Sequence, residues 1–384
     1  MNARPWYPSP VRILFTARPA FGHVFPLVPL ALAAKERGHE VTFASGEAFL
    51  PRLTGWGFAT RKVGAGIEWG FQQAAQKYPD LLEPERPEFG AAMFVDVLGR
   101  RSLEDANAVI EDLRPDLVVY EGTDCGAAVA AASRGVPAVC HALSLWMGPF
   151  RDALRERIPA LWNGPEVLDV TVGDAYLDLW PPSMQAPEAT ELTNRHLPLR
   201  PVPWGDPSSP VPEWVETAEP PFVFVSLGTV FWGKDLLPKL IEALSSLDVS
   251  ALVLAGVDAT PDELPQTERV RVAGFVDQPA ILGRADAIVH HGGAGTLLGA
   301  LANGVPAVVM PEGADRPFTA ASLVASGAAV SLDPRAASAD DVAAAVQSVL
   351  DEESYRARAR ALASEIAAMP SPADVMAQLE ASFG

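Results

Sequence analysis

Short apolar runs recur along this chain, each followed by a turn and a stretch of helical character. In the first half they fall at 11–17, 39–45, 58–62, 116–120 and 137–141. In the second half they fall at 222–226, 251–255, 269–273, 287–290, 306–310 and 329–332. Runs that are apolar throughout, rather than alternating, suit strands buried on both faces, and such strands joined through helices make parallel sheets. Crossover handedness and the position of the turns then predict an α/β chain of two doubly wound, Rossmann-like domains in tandem, with ligands at the carboxyl ends of the strands.

The 384 residues, 49% of them hydrophobic, are enough for two cores. The expected division is an N-terminal domain over 1–204, a linker over 205–221 rich in proline and acidic residues, a second domain over 222–368, and a terminal segment over 369–384. Pro370 and Pro372 let that last helix change direction. A net charge of −19 disfavours nucleic acid and anionic membranes as partners. Two cysteines, Cys125 and Cys140, read as buried small hydrophobes rather than a disulfide framework. Pro26 and Pro29 interrupt the apolar start, and no run reaches the ~18 apolar residues of a membrane span, so a cytoplasmic protein is expected.

Two regions lack sustained periodicity. Residues 64–90 hold Trp69, Phe71, Tyr78 and Phe89 and read as a functional loop or short helices over a site, before a helix over 91–113. Residues 144–200 read as short helices and Pro-rich turns.

The most informative stretch is 285–316, ADAIVHHGGAGTLLGALANGVPAVVMPEGADR. A buried strand meets glycines at 292, 293 and 295 and then a helix from about Thr296. Glycines admit a ligand close to the backbone, and the free amides opening a helix attract an anion. His291 stands at the mouth of this turn, where it can add a hydrogen bond to a phosphate oxygen. Two other readings stand beside it. The glycines can serve tight packing alone, or Gly293, Gly295 and Gly299 with Glu312 can form a dinucleotide site, although the spacing is not GxGxxG.

HHGGAGT at 290–296 followed by GVPAVVMPEGAD at 304–315 closely resembles the donor-binding signature of glycosyltransferase family 1, in particular bacterial enzymes that attach deoxysugars to antibiotic aglycones. The resemblance implies the two-domain GT-B fold, its domains facing each other across a cleft and its last helix crossing back to the first. It also implies an inverting transfer from a nucleotide diphosphate sugar, thymidine-linked by preference, to a hydrophobic natural product such as a polyketide. Carried over, His291, Gly293, Gly295 and Thr296 bind the diphosphate and Asp315 touches sugar hydroxyls. The family usually has Gln where this chain has Arg316. SLGT at 226–229 matches the loop that adds Gly228 and Thr229 to the diphosphate, and GFVDQ at 274–278 matches the base loop, with Phe275 over the pyrimidine and the Val276 backbone at its edge. LWPPSM at 179–184 resembles a stretch near the end of the first domain in such enzymes.

His23, in GHVFP, occupies the position where many members keep their general base, a role its acidity suits. A solitary His after a strand otherwise reads as a structural hydrogen-bonder. Its orienting carboxylate is expected from the fourth strand, where VVYEGTD offers Glu121, with Asp124 in reserve. No DxD pair stands out, and a cationic His with helix amides can neutralise a diphosphate, so neither metal nor cofactor is expected. The rival functions are a sugar-nucleotide epimerase on the same fold and a catalytically silent binding or activating relative. The aromatic segment 64–90 argues against the first, and His23 with His291 against the second. A homodimer or an auxiliary protein partner stays open.

Overall fold

The computed structural model describes residues 10–83, 86–164, 168–192, 195–206, 211–228, 236–256 and 260–383. The chain forms two compact units. The first comprises Met1–Leu179, Gln185–Arg200 and Pro370–Gly384, the second Trp180–Met184 and Pro201–Met369. The short excursion Trp180–Met184 into the second unit covers most of the LWPPSM stretch.

The first unit holds a parallel sheet of β1 (Arg12–Thr16), β2 (Glu40–Ser45), β3 (Ala59–Lys62), β4 (Leu117–Glu121), β5 (Ala138–His141), β6 (Ala175–Asp178) and β7 (His196–Pro198). Its order is β3-β2-β1-β4-β5-β6-β7, so the winding reverses between β1 and β4. The last two strands fall where sequence reading expected only short helices and turns. They have four and three residues, too few to display a period, and pairing with β5 rather than local preference makes them strands.

The helix after β1 departs from a single regular span. It runs as Phe21–Val24, a 3-10 turn Phe25–Leu27, and Val28–Glu36, with Pro26 and Pro29 near the starts of the second and third pieces. Proline tolerates a first turn but not an interior, and each restarts the helix. The helix expected over 91–113 also changes type. An α-turn Pro87–Ala91 passes into a π-helix, Ala92–Gly99, and then α-helix Arg100–Leu113. The small-residue helix Cys125–Ala132 packs so closely there that a Cβ on Gly126 would lie 2.1 Å from the Gly99 carbonyl oxygen. Both cysteines are buried and free, and burial raises their pKa values, Cys140 to about 12.

Residues 67–77 form a helix, and the aromatics of this segment are largely structural. Phe71 meets Phe89 edge-on at 5.3 Å, and Phe89 joins Ala74, Met93, Val97 and Leu98 in a small core. The Tyr78 hydroxyl donates to Asp96 at 2.6 Å. The segment forms short helices, as expected, and they pack against the π-helix.

The second unit repeats the plan with β8 (Phe222–Ser226), β9 (Ser250–Leu254), β10 (Val270–Ala273), β11 (Ala287–His290), β12 (Ala307–Val309) and β13 (Ala329–Ser331). The order β10-β9-β8-β11-β12-β13 reverses between β8 and β11. Val223, Val225, Val253, Val289 and Val308 lie in its core with Leu240, Leu244, Val342 and Val346 from the covering helices. No helix among the described residues is long and apolar enough to cross a membrane.

Helix Glu353–Ala368 ends before Pro370, and the last helix, Pro372–Phe383, packs on Val28–Glu36 in the first unit. Ser371 and Asp374 cap it reciprocally, and Val375, Met376 and Leu379 are buried. Glu380 takes the Arg37 guanidinium and the His39 Nε2, the latter at 2.6 Å. The Arg37 hydrogen bond is the main reason its pKa is lowered. Stability from this group is therefore present above its ordinary value of 4.5 and lost as the pH falls below it. Because Arg37 is 35% exposed, the pair is partly screened. Glu380→Gln should lower the unfolding free energy of the first unit by about 1 kcal/mol at pH 7 and by less at pH 3. Urea titrations at the two pH values check this, and equal loss at both would remove the charge from the explanation.

Candidate active site

Each sheet places its candidate residues where its winding reverses, the position at which flanking loops part and leave room for a ligand. In the first unit His23 lies in the turn after β1 and Glu121 ends β4. Their side chains meet, His23 Nδ1 standing 2.9 Å from Glu121 Oε2. The ring N–H is bent away from the oxygen, so the contact is an ion-pair approach rather than a straight hydrogen bond. Glu121 is fully buried, and its Oε1 accepts from the Thr123 amide and hydroxyl, each at 2.6 Å. Burial opposes its ionisation, but His23, Thr123 and Arg18 outweigh burial and hold its pKa at about 2. The carboxylate is therefore charged throughout the neutral range and stands against the Nδ1 side of the His23 ring.

Asp124 does not share this role. It is buried at the start of helix Cys125–Ala132, with Oδ1 3.4 Å from Arg18 Nη2. Arg18, 2% exposed, also donates to the carbonyls of Leu98 at 3.3 Å and Thr123 at 3.1 Å. It ties the π-helix to the β4 loop and adds positive charge beside Glu121. Sequence reading missed it, although an Arg directly after a buried strand was a signal. Phe94, from the π-helix, lies with its ring 6.4 Å from that of His23 and meets Phe150 edge-on at 6.2 Å. Apolar ring surface thus borders His23.

In the second unit the three glycines of the turn separate into distinct duties. Gly292 adopts φ +86°, a left-handed conformation that side chains disfavour, and its carbonyl accepts from the Thr319 hydroxyl at 2.8 Å. A Cβ on Gly293 would lie 2.3 Å from His291 Nε2, and one on Gly228 would lie 2.7 Å from the same atom. The two glycines, from different loops, leave the slot that the imidazole fills. Gly295 is different. It is exposed within helix Ala294–Ala302, and a Cβ there would meet nothing within 4 Å.

His291 Nδ1 lies 3.4 Å from the Ser226 carbonyl oxygen. Burial first, then the charge of Arg316 and the neighbouring His290, push its pKa down to about 3, so it is neutral here. His290 is buried too, its Nδ1 accepting from the Gly292 amide at 3.0 Å, and burial lowers its pKa to about 4. Thr296 is 9% exposed and faces inward. Thr229 lies outside the described residues, as does the loop over 229–235.

After β12 the chain turns through Gly313 and Ala314, both at positive φ, into Asp315 and helix Arg316–Ala325. Arg316 Nη1 donates to the Glu312 carbonyl at 2.9 Å, while the Glu312 carboxylate is held by Arg335 at 2.8 Å. Glu312, the acidic residue of the dinucleotide reading, is thereby paired within the protein. After β10, Phe275 is 41% exposed and Val276 is buried. Along the carboxyl edge the order is therefore Phe275, Gly228, His291 and Asp315, on β10, β8, β11 and β12 in turn.

Comparison with known proteins identifies the family and the fold. The sequence pattern of the family described as Erythromycin biosynthesis protein CIII-like matches in two parts, its N-terminal domain over residues 32–228 and its C-terminal domain over 238–382. The L-demethylnoviosyl transferase of Streptomyces niveus is 30% identical over 97% of this chain and 98% of its own length. The elloramycin glycosyltransferase ElmGT of Streptomyces olivaceus is 31% identical over the same shares. Among solved structures, the Streptomyces sp. SF2575 glycosyltransferase SsfS6 complexed with thymidine diphosphate superposes with a TM-score of 0.80 at 28% identity, covering 97% of this chain and 99% of that one. The chain belongs to the Erythromycin biosynthesis protein CIII-like family, the antibiotic deoxysugar transferases of glycosyltransferase family 1 with the GT-B fold, and is a glycosyltransferase.

Proposed function

We propose that the protein transfers a deoxysugar from a thymidine diphosphate donor to a hydroxyl of a hydrophobic natural-product aglycone, with inversion and with His23 as general base. The observation that carries the donor half is Gly295. Alanine is the better helix former by up to about 1 kcal/mol, and no neighbour among the described residues requires glycine here. The open space above it, at the amides that begin the helix, suits a diphosphate approaching closer than a Cβ allows. The strand order supports the same assignment. Phe275 and Val276 for the base, Gly228, His291, Gly293, Gly295 and Thr296 for the diphosphate, and Asp315 with Arg316 for the sugar follow the order of these groups in a nucleotide sugar. Thymidine rather than uridine rests on the resemblance to relatives such as the one complexed with thymidine diphosphate.

In the acceptor half, Glu121 orients His23 and stabilises the imidazolium that forms when Nε2 takes the acceptor's proton. The freed oxygen then attacks the anomeric carbon opposite the leaving diphosphate, and a single displacement inverts its configuration. Amides, His291 and Arg316 supply the charge compensation that a divalent cation gives elsewhere, so the proposed reaction runs without metal.

Gly295→Ala should raise thermal stability slightly, by about 0.5–1 kcal/mol in unfolding free energy, while weakening thymidine diphosphate binding measured by calorimetry. Stabilisation with undiminished affinity would place the diphosphate elsewhere. His23→Ala should lower kcat by roughly 10²- to 10⁴-fold with donor affinity unchanged, and high pH should partly rescue it with a phenolic acceptor, which ionises near pKa ~10. A variant with wild-type kcat at neutral pH would show that the base lies elsewhere. Turnover should also survive excess EDTA. Activity lost on chelation and restored by Mg²⁺ would overturn the metal-free assignment.

A further inference from the structure

The hydrogen-bonding geometry of His291 raises a difficulty for any anion in this site. Its Nδ1 faces the Ser226 carbonyl oxygen, which can only accept, so the single proton of the neutral ring sits on Nδ1. The atom at the Gly293 side, Nε2, then presents a lone pair. A phosphate oxygen also presents lone pairs, and the two repel. A neutral imidazole can donate from Nε2 only in the tautomer that leaves Nδ1 without a proton for the Ser226 carbonyl, setting two lone pairs against each other there instead.

We propose that nucleoside diphosphate binding to this protein is coupled to uptake of a proton by His291, and that Arg316 sets the pH range over which the uptake occurs. The proposal rests on the reading of this turn as the diphosphate site. The groups facing the ring are few among the described residues. The loop after β8 contributes a carbonyl and Gly228, and the start of helix Ala294–Ala302 contributes backbone alone. Neutral His290 lies on the same strand, and Arg316 enters from the turn after β12, its charge partly offset by Asp315 and Glu312. Besides its direct part at the donor, Arg316 thus acts through His291, a fixed cation beside a conditional one. In the empty site burial and Arg316 keep the ring neutral. A diphosphate reverses the balance, because its charges attract a second proton more strongly than Arg316 repels it. Transfer sharpens the effect, since the breaking glycosyl bond leaves its electron pair on the diphosphate and favours the imidazolium further.

Between the proton affinities of the empty and occupied sites, binding weakens as the pH rises, by up to about tenfold per pH unit. The test is calorimetric titration of the full chain with thymidine diphosphate near pH 7.5, where the terminal phosphate, with a second pKa of about 6, is already mostly ionised. Running it in HEPES and in Tris, which differ in ionisation heat, gives the protons exchanged. The expected result is net uptake approaching about one proton per nucleotide, absent in a His291→Gln variant that still binds weakly. In Arg316→Gln the fall in affinity should move to higher pH. Tight binding with no buffer-dependent heat, or uptake that persists in His291→Gln, overturns the proposal. An unshifted pH profile in Arg316→Gln overturns the part assigned to Arg316. Failure of the wild-type chain to bind thymidine or uridine diphosphate at all would instead overturn the underlying reading of the site.

Discussion

Two strand pairings, β1 with β4 and β8 with β11, hold together everything else in this protein. Each joins segments far apart in sequence, and each is the place where the winding of its sheet reverses. Parallel pairing aligns the carboxyl ends, so the turn after β1 meets the end of β4 and the loop after β8 meets the turn after β11. His23 finds Glu121 for this reason, and His291 finds both Ser226 and Gly228 for the same one. Neither pair could form from a neighbouring segment, and a register shift in either pairing would separate it.

The two half-sites use buried charge in opposite ways. Around Glu121, hydrogen bonding, the His23 ring and the buried Arg18 outweigh burial, and the carboxylate remains ionised. Around His291, burial and a nearby cation act together, and the ring loses its charge. A permanently charged orienting group suits a base that must hold one tautomer. A neutral, enclosed imidazole suits a site whose ligand brings its own charge. The cost of enclosing that ring is visible in the glycines, since Gly228 and Gly293 both exist in a form that only its absence of a side chain permits.

The first unit carries a further constraint in its π-helix. Widening the helix over Ala92–Gly99 leaves carbonyls less regularly paired, and the buried Arg18 takes one of them, from Leu98, while reaching Thr123 and Asp124 on the other side. The same segment brings Phe94 beside His23. The aromatic surface next to the base therefore comes from a region whose sequence predicts an ordinary helix, and not from the aromatic-rich residues before it.

Much of this was legible in the sequence, because its signals are local. Apolar runs identified eleven of the strands later seen in the two sheets, since burial on both faces demands such composition. The HHGGAGT turn was read as a candidate anion site from glycines whose backbone freedom is an intrinsic property, and GHVFP with VVYEGTD pointed to His23 and Glu121, whose side chains the fold brings together. What only the tertiary structure decided depends on neighbours. β6 and β7 are strands because β5 offers an edge to pair with. Asp124 turns to Arg18 rather than His23, Glu312 is consumed by Arg335, and His291 is neutral because burial and Arg316 surround it. Residue type fixes which groups can carry charge or bend the chain, but the solvation and the partners that determine their state arise only when distant segments meet.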